Sequence, residues 1–108
     1  MAIPFTTIIL DKPYKVRFGM GAQVQYEQLS GKTIPELGVE MQTGISVTSL
    51  NHLLYVMLEK QIEGLTLAKV AEIVDDYADL NKITDDIVKT INAAYPEAQD
   101  PNEIPPKS

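Results

Sequence analysis

Residues Phe5 to Phe18 read as a β-hairpin that runs straight into Gly19-Met20-Gly21-Ala22 and a short helix. Every periodic segment after that point is helical. A two-stranded ribbon on its own is marginal in water, so this one must pack on helices or pair with another chain. That requirement predicts an α+β fold: an N-terminal β-hairpin packed on a mainly α-helical domain of four to five short helices. The domain takes in residues 1–95, and 96–108 form a Pro-rich, acidic, flexible tail.

The strands carry the first evidence. Thr6 to Leu10 is rich in β-branched residues, which suit a pleated surface. In Tyr14-Lys15-Val16-Arg17-Phe18 the alternation is clean, with Tyr14, Val16 and Phe18 on one face and Lys15 and Arg17 on the other. The first strand has apolar groups on both faces, because Ile8, Ile9 and Leu10 are consecutive. Either a helix covers one face and a partner the other, or the strand bends. Lys12 precedes a proline and is pushed to extended dihedrals, which conflicts with a two-residue type I′ turn. A longer loop is expected, with Pro13 leading the second strand.

The helices follow from spacing and punctuation. Ala22, Tyr26 and Leu29 form the buried stripe of the first helix, and Gly31 closes it. Thr33 caps a segment from Ile34 to Met41, with Pro35 and Glu36 in its first turn, and Gln42-Thr43-Gly44 breaks it. The helix from about Thr48 to Gln61 is the most apolar. Leu50, Leu53, Leu54, Met57 and Leu58 make its stripe, Val47 and Ile62 extend it, and Val56 falls outside it. Such a helix sits centrally or lies under a partner. Gly64 ends it and Thr66 caps the next, whose Leu67, Val70, Ala71, Val74, Tyr77 and Ala78 face inward. A last helix starts near Asn81 or Thr84 and buries Ile83, Ile87, Ile91 and Ala94. Asp85 and Asp86 are placed in its first turn, where the helix dipole favours negative charge.

Catalytic chemistry finds no foothold. The chain has no Cys, which removes disulfides, thiolate catalysis and Cys-based zinc sites together. His52 is the single histidine, with no nucleophile elbow around neighbouring Ser46 and Ser49. The acidic run from Asp75 to Asp86 fails as an EF-hand, because Tyr77 and Leu80 stand where a ligand and the turn glycine belong. Gly19-Met20-Gly21 lacks the third glycine of a dinucleotide fingerprint, whose place Val24 takes. No enzyme activity, metal or cofactor is expected.

Charge narrows the partners. The net charge is −6. It is uneven: Lys12, Lys15 and Arg17 against Asp11 and Glu27 leave residues 1–30 at +1. Nucleic-acid backbones need clustered Lys and Arg, so no nucleic acid is expected. No apolar run approaches the roughly 20 residues that span a bilayer, and Met1 to Pro4 does not open a signal peptide. These features point to no membrane association and to a cytoplasmic protein.

The segment Lys12-Pro13-Tyr14-Lys15-Val16-Arg17-Phe18-Gly19-Met20-Gly21-Ala22, followed by Tyr26-Glu27-Gln28-Leu29-Ser30-Gly31-Lys32, resembles bacteriophage tail assembly chaperones. The likeness is to the small type found in gene transfer agents and Gram-positive prophages. It continues through the Leu50 to Leu58 helix and Gly64-Leu65-Thr66-Leu67-Ala68-Lys69-Val70, and covers residues 5–95. Tyr26 departs from it, since Leu is expected there. The resemblance implies a protein that binds the tape measure protein and keeps it soluble during tail morphogenesis, in the host bacterial cytoplasm and outside the mature virion. Other tail proteins and self-association come with that role. Reversible binding needs apolar surface, and the candidates are Ile8, Leu10, Tyr14, Val16 and Phe18 on the hairpin and His52, Tyr55 and Val56 on the apolar helix. The alternative is an acidic phage-encoded regulatory module that mimics DNA, using Asp75, Asp76, Asp85 and Asp86.

Overall fold

The computed structural model describes residues 3–95, so the expectation for 96–108 lies outside the described residues. Two strands, β1 (Thr6–Ile9) and β2 (Pro13–Val16), pair antiparallel with Thr6 opposite Val16 and Ile9 opposite Pro13. Five helices follow: α1 (Met20–Ser30), α2 (Ile34–Thr43), α3 (Val47–Leu58), α4 (Leu67–Tyr77) and α5 (Leu80–Ala94). The architecture is the expected α+β, a hairpin on a helical body.

The hairpin loop is Leu10-Asp11-Lys12, closed by the Leu10 N–H on the Lys12 carbonyl at 3.1 Å. Pro13 opens β2, as its effect on Lys12 requires. The Tyr14 hydroxyl donates to the Asp11 carboxylate at 2.9 Å and ties the loop to its strand. Inward-facing Ile8, Val16 and Phe18 are almost wholly buried, and Ile9 on the opposite face is half exposed.

Helix α3 is the hub. Helices α1, α4 and α5 and strand β2 all pack on it, while β1 packs on α5. This settles its position: it is central in the fold. Because it is covered on several sides, Val56 is buried at 7% exposure, although it lies off the main stripe. Burying a Leu or Ile side chain stabilises by about 1.5–3 kcal/mol, so Leu53, Leu54 and Leu58, each near zero exposure, carry a large share of the core.

The caps explain the boundaries. Gly31 closes α1 at φ 75°, a left-handed conformation that glycine adopts without a Cβ clash. Thr33 and Glu36 form a reciprocal capping box at the start of α2. Ser46 caps α3, Thr66 caps α4 and Asp79 caps α5 by accepting from the Asn81 and Lys82 amides.

Several expectations are corrected. The last helix starts at Leu80, so Asp85 and Asp86 lie beyond its first turn. Helix α3 ends at Leu58, whose carbonyl accepts from both the Gln61 and Ile62 amides, so the chain turns before Gly64. Val47 is exposed because it opens that helix at the margin of the core. Tyr77 is exposed as the last residue of α4, where Ala78 already leaves helical dihedrals. Leu29 and Ala71 are exposed as well, since α1 and α4 each touch the body along a narrow line with one fully buried residue, Tyr26 and Val70.

Candidate protein-binding surface

Among the described residues, two depressions stand out. The larger, about 560 Å³, lies where the hairpin meets the start of α1 and the end of α3. Val16, Val56 and Met57 are the buried apolar residues lining it. Phe5 and Met20 also line it, at 56% and 75% exposure. Lys15, Arg17 and Lys60 line it too, and among the described residues no carboxylate does. The Arg17 guanidinium sits 4.5 Å from the centroid of the Phe5 ring, a cation–π contact that holds both side chains in place. Gln61 donates its side-chain amide to the Lys15 carbonyl at 2.9 Å, which fastens the strand edge to the end of α3.

The composition of that groove follows from local folding. Alternation along β2 and its continuation sends Val16 and Phe18 inward and Lys15 and Arg17 outward. The groove is open above Gly21, where an added Cβ would meet nothing within 4 Å. No acidic residue stands in the first turn of α1, so the positive end of its dipole adds to the field of the three cations.

The smaller groove, about 360 Å³, runs between α3 and α4 to the start of α5. Leu50, Leu54 and Val74 line it, together with exposed Val47 and Leu80. Asn51 donates to the Leu67 carbonyl at 3.0 Å and pins the two helices beside it.

A polar cluster joins α2 to α3 on another side. Glu40 accepts from the Ser46 amide at 2.9 Å, the Ser49 hydroxyl at 2.9 Å and the Lys32 ammonium at 3.1 Å. Burial works against charge on Glu40. The Ser46 N–H, the Ser49 hydroxyl and Lys32 more than offset it, and the carboxyl is pushed down to about 2. The Glu40 bond raises the Lys32 ammonium in turn. Every polar member has a partner, so this is a structural clasp.

The residues expected to bind a partner fall into three groups. Ile8, Leu10, Tyr14 and Phe18 are buried in the core. His52 and Tyr55 are half-buried on α3. Val16 and Val56 are also buried, and the fold brings them together as lining of the larger groove. Their neighbours Phe5, Met20, Lys15, Arg17 and Lys60 were not among the expected residues. The clean alternation of β2 signals Lys15 and Arg17; nothing in the sequence brings Lys60 beside them.

The four-carboxylate array of the acidic alternative is not presented as one exposed surface. Asp86 is buried and paired with Lys82 at 3.3 Å one turn earlier, while Asp75, Asp76 and Asp85 are exposed. Among the described residues, no helix is long and apolar enough to cross a membrane. No protein-family model, curated protein or solved structure matches the chain.

Proposed function

We propose that this protein is a non-enzymatic assembly chaperone of bacteriophage tails, which binds the tape measure protein and keeps it soluble in the host cytoplasm during tail morphogenesis. One observation carries the reading. The hairpin, the Gly19 to Ala22 lead into α1 and the Gly64 to Val70 lead into α4 occur in the order on which the family resemblance rests.

The surface supports it. Phe5 and Met20, more than half exposed, share the larger groove, and Val47, also more than half exposed, lines the smaller one. Covering apolar area contributes roughly 25 cal/mol per Å², so a few hundred Å² gives useful, reversible affinity for an amphipathic helix.

The test is co-expression with the tape measure protein encoded nearby, followed by calorimetric titration of purified components. The expected result is a tape measure protein that stays soluble only with this chain present, and a saturable heat of binding. A tape measure protein equally insoluble with and without it, and no heat at high micromolar concentration, would overturn the proposal.

A further inference from the structure

The groove between the hairpin and the start of α1 is basic in a protein whose net charge is −6. Among the described residues, no ion pair joins Lys15, Arg17 or Lys60 to a carboxylate. Of the other described lysines, Lys32, Lys69 and Lys82 are each paired with one, while Lys12 and Lys89, outside the groove, are in no ion pair. The same groove has an apolar lining of Val16, Val56 and Met57, flanked by exposed Phe5 and Met20.

We infer that this groove docks an acidic amphipathic helix of a partner protein, its apolar stripe on exposed Phe5 and Met20 above the buried floor of Val56 and Met57, and its carboxylates on Lys15, Arg17 and Lys60. The inference rests on the reading of the chain as a protein-binding chaperone, and it adds the site and the charge of the partner segment. Charge complementarity selects the occupant. A basic segment meets three like charges; a purely apolar one leaves three cations unanswered beside it. Nucleic acid is disfavoured, since three cations offset few phosphates and the rest of the molecule repels them. An amphipathic helix spaces apolar residues along one face with acids flanking it, the pattern this groove complements.

The test uses the full chain and labelled synthetic peptides of roughly 15 residues, long enough to form a helix on binding. One carries a Leu stripe flanked by Glu, a second replaces each Glu by Lys, and a short DNA duplex serves as the third probe. The expected result is saturable anisotropy for the Glu peptide, at least tenfold weaker binding of the Lys peptide and none of the duplex. Amide shifts on binding should cluster at residues 15–22 and 56–61. Two variants weaken binding tenfold or more by independent means: Lys15→Glu with Lys60→Glu reverses charge, and Gly21→Leu fills the groove from a position with open space above it. A circular-dichroism melt of each confirms that it folds.

Equal binding of both peptides, preference for the duplex, or shifts centred on the α3–α4 groove overturns the inference. So does undiminished binding by folded variants of both kinds. If those variants still hold the tape measure protein in solution, the groove is wrong and the chaperone reading stands. Loss of tape measure binding by the unaltered chain removes both.

Discussion

Helices α2 and α3 are neighbours in sequence held by opposite means. Helix α3 buries Leu50, Leu53, Leu54, Val56, Met57 and Leu58, and four elements surround it. Helix α2 fully buries only Leu37, with Ile34 and Met41 partly covered. Its remaining hold is the Glu40 clasp on Ser46 and Ser49 at the start of α3, together with a bond from the Ile34 amide to the Glu27 carboxylate at 2.9 Å. Apolar burial is insensitive to pH and weakly directional, whereas a charge-assisted clasp is directional and titrates. The difference predicts a molecule with a rigid hub and one helix that can loosen separately.

The largest effect should come from the hub. Leu53→Ala removes a fully buried side chain and should cost about 2–5 kcal/mol, read as a lower denaturation midpoint. All helices should unfold together in that variant. Amide exchange that rises only in α3 would mean the hub is less shared than the packing indicates.

Glu40→Gln comes next. It removes the charge that three donors converge on, and should cost about 1–3 kcal/mol. Amide exchange should quicken in α2 and at Ser46 while the centre of α3 stays protected. Uniform acceleration would erase the contrast between the two helices.

Acid gives a finer version of the same test. The folded Glu40 carboxyl lies below its ordinary value of 4.5, at about 2. A depressed carboxyl contributes stability that is complete above 4.5 and is lost as pH falls toward about 2. Amide signals of α2 should therefore shift before those of α3 in that window, and Glu40→Gln should remove the early step. An early step that survives the substitution belongs to another carboxyl.

The smallest effect concerns Tyr26, at zero exposure and edge-on to Phe18 with ring centroids 6.3 Å apart. Its buried hydroxyl has no hydrogen-bond partner among the described residues. Tyr26→Phe keeps the ring contact and removes an unsatisfied group, so stability should stay level or rise by up to about 1 kcal/mol. A loss above that range would show that the hydroxyl has a partner in solution.

Local signals were the legible part of this fold. Thr33 with Glu36, Thr66, Gly31 and Pro13 each act within a few residues, and each does what its chemistry implies. The stripe of α3 was legible too, because 3.6-residue spacing needs no knowledge of the partner face. Val56 was not, since its burial depends on how many elements surround α3. The Glu40 clasp reaches nine residues along the chain to Ser49, and no motif marks it. The larger groove gathers residues from β2, α1 and the end of α3. Its floor joins Val16 of β2 to Val56 of α3, which no local pattern links, and its charge emerges only when Lys60 is folded next to Lys15 and Arg17.

The packing of β1 on α5, which includes a hydrogen bond between the Thr6 and Thr90 hydroxyls, sets a schedule for synthesis. These residues are 84 positions apart, so at roughly 5–20 residues per second β1 waits about 4–17 s for α5, while β2 can meet α3 sooner. During that interval β1 is out of the ribosome with its α5 side uncovered. Brief protease treatment should cut near Ile9 in ribosome-bound chains, whose exit tunnel still holds the segment around Thr90, and spare it in released chains.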